Sequence, residues 1–173
     1  MDERALLLLG ILRMQSLHGY RLMDFIERNL SRVTNMKKAT AYALLERLRE
    51  AGYVRIHTEQ QGNRPLRQVY TITPEGEKQF QTMLRENLSH ADRTTFAGDI
   101  GLMFFDQLPR EEAVQLLKHR LDEVNADIAV YEQTPEHGLH TKGVTVAIEH
   151  LLVVLRANRD WLITLIHHLE EDE

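Results

Sequence analysis

No cysteine occurs among the 173 residues. Disulfides, thiolate metal sites and cysteine nucleophiles are therefore excluded, and the absence fits a reducing compartment. Aromatic residues are scarce, with five Phe, five Tyr and a single Trp. No apolar run approaches the roughly 20 residues that a membrane-spanning helix needs; the longest are Ala5–Leu12 and Leu151–Leu155. The start, Met1-Asp2-Glu3, carries no basic segment leading to a small-residue cleavage site, so no signal peptide is read and a cytoplasmic location is expected. Glycine-rich phosphate loops, nucleophile elbows and triad signatures are missing, and no enzyme is expected. The nine histidines include no pair at i, i+4 with a carboxylate between, the spacing of a zinc-binding helix. Neither a metal nor another cofactor is expected.

What is present is an ordinary soluble composition, 43% apolar and 27% charged, long enough for one large domain or two small ones. The charge is uneven. Residues 1–90 carry 14 Lys/Arg against 10 Asp/Glu, whereas residues 91–173 carry 7 against 16. Within 30–73 there are 8 basic and 3 acidic residues. A basic segment in an acidic protein is the footprint of a nucleic-acid surface, although a solvated face with a chance surplus has the same count.

Hydrophobic spacing predicts a helix over 3–14, with Leu7, Leu8, Ile11 and Leu12 recurring at helical intervals and Gly10 marking a close contact. Leu17-His18-Gly19-Tyr20 reads as a turn into a second helix over about 18–30. A polar linker over 31–37 leads to a third helix over 38–51, stopped by Gly52. In that helix Ala41, Leu44, Leu45 and Leu48 share one face; Tyr42 lies on a flank with Lys38 and Arg49, away from the leucines. Two β-rich stretches, 53–59 and 68–73, enclose a loop with Gly62, Asn63, Arg64 and Pro65, which reads as a hairpin with a basic tip. Thr73 and Pro74 form an N-cap and first helical position for a helix to about 90.

The fold class read from this order is mainly α with a small β-hairpin: a winged helix-turn-helix DNA-binding domain over 1–90, then a helical region over 91–173. A helix fits the major groove, and a hairpin tip reaches adjacent phosphates or the minor groove. Lys37, Lys38, Thr40 and Tyr42 on the third helix and Arg64 and Arg67 on the hairpin are the candidate DNA-binding residues. Lysines and the threonine hydroxyl suit phosphates, and guanidinium groups suit phosphates and narrow grooves.

The blocks Leu8-Gly10-Ile11-Leu12, Leu17-His18-Gly19-Tyr20, Ala39-Thr40-Ala41-Tyr42-Ala43-Leu44-Leu45-Glu46-Arg47-Leu48, Glu50-Ala51-Gly52-Tyr53-Val54 and Arg67-Gln68-Val69-Tyr70-Thr71-Ile72-Thr73-Pro74-Glu75-Gly76 resemble the PadR family of bacterial transcriptional regulators. The resemblance implies a winged-helix DNA reader with Tyr42 toward DNA, followed by a helical dimerisation region. Ala39 and Ala43 depart from the Gly and Pro common at those places in the family.

Residues 91–108 read as a mostly helical connector, and 109–133 as a long helix with the seam Val114, Leu117, Leu121, Val124, Ile128 and Tyr131. A last helix over 142–170 is apolar over much of its circumference, so it should be buried on more than one side, most simply by a second subunit. This half resembles the longer family members, whose paired long helices are exchanged between subunits. In some relatives aromatic side chains at the dimer centre sandwich flat molecules, which makes Trp161 a candidate ligand contact beside its plainer reading as a packed aromatic. The expectation is a repressor that binds palindromic double-stranded operator DNA as a homodimer, released by a small aromatic or amphipathic effector. Its alternatives are an activator or co-regulator without an effector, and a winged-helix scaffold for protein partners.

Overall fold

The computed structural model of the protein describes residues 2–14, 17–18, 36–59, 67–91, 98–133 and 142–171. They belong to two compact units, Met1–Arg93 and Thr94–Glu173. The helix expected over 18–30 and the hairpin tip lie outside the described residues, so elements are numbered among those that are described.

The first unit opens with α1 (Glu3–Met14). The Asp2 carboxylate accepts from the Ala5 N–H at 3.2 Å and anchors its first turn. Helix α2 (Lys38–Glu50) buries Ala41, Leu44, Leu45 and Leu48, the face expected from their spacing. Gly52 follows with φ +77, a left-handed conformation that ends the helix and that a side chain would strain.

Strands β2 (Val54–Glu59) and β3 (Arg67–Ile72) pair antiparallel, from Val54 opposite Ile72 to Glu59 opposite Arg67. One finding differs from the turn expected at 17–20. Leu17 and His18 form a two-residue strand, β1, paired with Tyr70 and Val69, so the sheet has three strands in the order β1-β3-β2. Two residues are too few to show alternation, and their partners are distant in sequence.

Thr73 caps α3 (Pro74–Ser89) as expected. Its Oγ1 accepts from the Gly76 N–H at 3.0 Å, and Pro74 holds the first helical position. The same hydroxyl donates to the Gly52 carbonyl at 2.7 Å, and the Thr73 N–H donates to the Tyr53 carbonyl at 3.0 Å. One threonine thus ties the end of α2, the entry to β2 and the start of α3. Gly76 packs so tightly there that a Cβ would lie 2.1 Å from the Tyr53 carbonyl oxygen.

The core gathers α1, α2 and the inner face of the hairpin: Leu8, Leu9, Leu12, Leu45 and Leu48 are almost wholly enclosed, with Val54, Tyr70 and Met83 around them. Each such leucine contributes about 2 kcal/mol of burial. Gly10 meets α3 closely, 3.2 Å from a built Cβ to the Phe80 ring. Arg13 lies over that ring and pairs with Glu77.

The second unit is built on two antiparallel helices, α5 (Arg110–Glu132) and α6 (Lys142–Glu171). Val114, Leu117, Val124, Ile128, Leu162 and Ile166 form the seam between them. Ion pairs at 2.7 Å, Lys118 to Glu170 near one end and Arg156 to Glu132 near the other, fix their register. The short helix α4 (Asp99–Leu102) and a 3-10 turn over Phe105–Gln107 precede them. Arg120 holds this segment, donating to the Gly98 carbonyl at 3.3 Å and lying 3.7 Å from the Asp99 carboxylate.

The expectation that the last helix is covered on several sides is not met within one chain. In α6 only Leu162 and Ile166 are buried, while Val146, Val153, Trp161 and Ile163 face solvent.

Candidate nucleic-acid interface

The buried leucine face of α2 fixes what its other side presents. Lys37 precedes the helix in extended conformation, and Lys38 occupies its first position; both are exposed. Thr40 is half-buried, and Tyr42 is 40% exposed even though the core lies close by. These four expected contacts therefore sit on one helix, within its first turns. Arg67 opens β3 at the end of the hairpin away from Gly52. Arg64 lies outside the described residues.

Counting basic residues does not reveal which charges are already engaged. Arg49 Nε donates to both carboxylate oxygens of Glu46, at 3.0 and 2.9 Å. That hydrogen bonding, with the charge of Arg49, holds the Glu46 carboxyl below its usual value and raises Arg49. Arg49 is thus partly neutralised, whereas Arg47 and Arg55 are exposed and belong to the same unit as the expected contacts. Burial pushes the Tyr70 phenol up, and the charges of Tyr42 and Glu46 act on it in the same direction.

The second unit carries a groove of about 650 Å³ between α4 and α6. Trp161, 47% exposed, lines it together with Val153, Val154 and Asn158 from α6 and Asp99 and Met103 from the α4 segment. Sequence reasoning singled out Trp161 but not its neighbours, because the groove joins segments some 50 residues apart. Among the described residues, no group of three His, Asp or Glu side chains is placed to hold a metal ion. No helix among them is long and apolar enough to cross a membrane.

Residues 8–82, which take in the second half of α1, all of α2, the hairpin and the start of α3, match the family described as Transcriptional regulator PadR-like family. Over these residues the chain is similar to the PadR-like family of transcriptional regulators. Its members are regulators of transcription, not enzymes. The chain is also similar to the "Negative transcriptional regulator PadR" of Bacillus subtilis (strain 168), 25% identical over 122 residues, or 70% of this chain and 67% of that one. Bacillus subtilis PadR in complex with operator DNA has a similar fold, with TM-score 0.80 over 96% of this chain and 98% of that one at 20% identity. The same protein in complex with p-coumaric acid gives TM-score 0.75 over 99% of each chain at 19% identity. At these identities the likeness is one of fold: a winged helix followed by a long C-terminal helix.

Proposed function

We propose that this PadR-like regulator is a cytoplasmic repressor that binds palindromic operator DNA as a homodimer. The observation that carries the reading is α2, a helix whose core-facing stripe is closed and whose other side offers Lys37, Lys38 and Tyr42 to solvent. Lys37, Lys38 and Thr40 hold phosphates, Tyr42 enters the groove beside them, and Arg64 and Arg67 extend the contact from the hairpin. The unit Met1–Arg93 is the reading head, and Thr94–Glu173 is the dimerisation scaffold.

Dimerisation follows from α6. Val146, Val153, Trp161 and Ile163 form an apolar surface that a second copy would remove from water. Two heads on one scaffold read two half-sites about 34 Å apart. The excess of Asp and Glu in residues 91–173 repels phosphate and keeps the scaffold off DNA.

The effector is a small aromatic or amphipathic molecule seated in the groove at Trp161, where an indole face and apolar walls suit a flat ring. It releases DNA by favouring a dimer whose head spacing no longer matches the half-sites. Similar proteins support this reading: Bacillus subtilis PadR is named a negative transcriptional regulator and has been solved with operator DNA and with p-coumaric acid.

Selection from a random duplex pool by the purified protein tests the reading. An inverted repeat is the expected product. Binding to it should weaken steeply with salt, and Lys38→Ala should lower the slope of log K against log salt by about 1. A folded protein that selects no motif would instead leave a winged-helix scaffold for protein partners.

A further inference from the structure

Position around α2 separates residues that meet phosphates from residues that meet bases. Successive residues turn by about 100°. Opposite the buried stripe of Ala41, Leu44, Leu45 and Leu48 runs the line Ala39, Ala43, Glu46 and Glu50, and all four are exposed. Lys38, Tyr42 and Arg49 flank it on one side, and Thr40 and Arg47 on the other. The line itself carries no cation. Its first two members are methyl groups, which allow the helix axis close to the floor of a groove.

A carboxylate on such a line is repelled by the phosphates on both sides of the groove unless a base edge gives it a hydrogen bond. In the major groove the donors are the exocyclic amino groups of cytosine and adenine. Adenine places the N7 acceptor beside its amino group and so repels a carboxylate; cytosine does not. Glu46 is also held in place, because Arg49 donates to both of its oxygens. Oε1 also accepts from Arg49 Nη2, so it is Oε2 that keeps a second lone-pair direction for another donor.

We propose that Glu46 is a specificity-determining residue that accepts a hydrogen bond from a cytosine amino group, with Ala39 and Ala43 packed against neighbouring base edges and Arg49 as its positioning residue. This rests on the DNA reading above. Apolar contact at Ala39 and Ala43 favours thymine methyl groups, so a half-site with cytosine close to thymine is the expected chemistry.

The test repeats the duplex selection with the wild-type protein, Glu46→Ala and Glu46→Gln, each checked for an unchanged melting temperature. The wild-type half-site should hold one cytosine preferred roughly tenfold. Glu46→Ala should flatten that position alone while raising affinity for unrelated duplex, because a negative charge has left the interface. Glu46→Gln should move the preference toward adenine, whose N6 and N7 a glutamine pairs together. Arg49→Ala should blunt the cytosine preference, and Arg49→Lys should recover part of it. Replacing the neighbouring thymines by deoxyuridine, which lacks the methyl group, should weaken binding a few-fold. If the wild type selects a motif and Glu46→Ala selects the same one with equal preferences, the role of Glu46 is overturned while DNA reading stands. A uniform loss of affinity for all sequences overturns it as well, since that marks a role in holding Arg49 against phosphate and not in reading a base. A wild type that retains no duplex overturns both.

Discussion

The two units close their cores to very different degrees. In Met1–Arg93, five leucines from two helices are almost wholly enclosed, and sheet, helices and caps are interlocked. Among the described residues of Thr94–Glu173, Leu162 alone is enclosed to that degree, while Ile100, Met103, Phe104, Leu116, Val146, Val153, Trp161 and Ile163 are exposed. Among its described residues the first unit closes its core within one chain, with Met14, Tyr42 and Leu88 left exposed. The second has an amphipathic seam on one side and apolar surface left over on others. A head that must present the same face at every encounter gains from a closed core. The proposed homodimer would account for this, since a scaffold whose partner is another copy of itself would leave part of its core for the partner to complete.

This contrast can be broken most forcefully at Gly76. Gly76→Ala places a Cβ against the Tyr53 carbonyl and should destabilise the first unit by about 2–4 kcal/mol. Trp161 is the single tryptophan and lies in α6, so its fluorescence follows the second unit alone. The expected outcome is early loss of hydrogen-exchange protection in α2 and α3 with the tryptophan transition unmoved; a joint shift would mean that the units unfold as one body.

Val153→Asp should act in the opposite unit. Val153 is 63% exposed, so one chain loses little, but a charge buried in a dimer contact is costly. Sedimentation should show the dimer dissociation constant raised on the order of a hundredfold, with the hydrogen-exchange pattern of the first unit intact. A variant that still dimerises with wild-type strength would mean that the leftover apolar surface is not the contact.

Thr73→Ala removes two hydrogen bonds at the junction of α2, β2 and α3. It should cost about 1–2 kcal/mol, read in urea, and again spare the tryptophan signal. The smallest effect concerns acid. Hydrogen bonding and charge from Lys118 hold the Glu170 carboxyl below its ordinary value. Its contribution is complete above the usual carboxylate pKa of about 4.3 and fades as pH falls through the lowered value. Glu170→Gln should therefore slightly lower the melting of the second unit near neutral pH and make it less sensitive to acid, with no change in the first unit.

Much of the first unit was legible because its signals are local. The leucine spacing of α2, the stop at Gly52 and the Thr73-Pro74 start each act within a few residues of the place they specify. The strand at Leu17–His18 was not, since its only reason lies in Val69 and Tyr70 across the sheet. The lysines and Tyr42 of α2 could be named from the helical wheel. Arg49 was placed on the same flank, but that Glu46, three residues before it, takes up its guanidinium was not read. In the second unit the periodicity of α5 was readable, but the groove beside Trp161 was not. It forms where Asp99 and Met103 approach Val153 and Asn158, and no spacing rule connects them.

On the proposed reading of Met1–Arg93 as a DNA-binding head, Thr73 also sets how that head would be controlled. Its hydroxyl and its N–H fasten the end of the reading helix, the root of the hairpin and the first turn of α3 at a single point. Helix and hairpin share one hinge pin and have no joint of their own there. A signal arriving from elsewhere in the chain can turn this tool or carry it away, but it has little leverage to reshape its edge. Regulation of such a head works on its placement, and the sequence it reads stays the same in every state it is placed in.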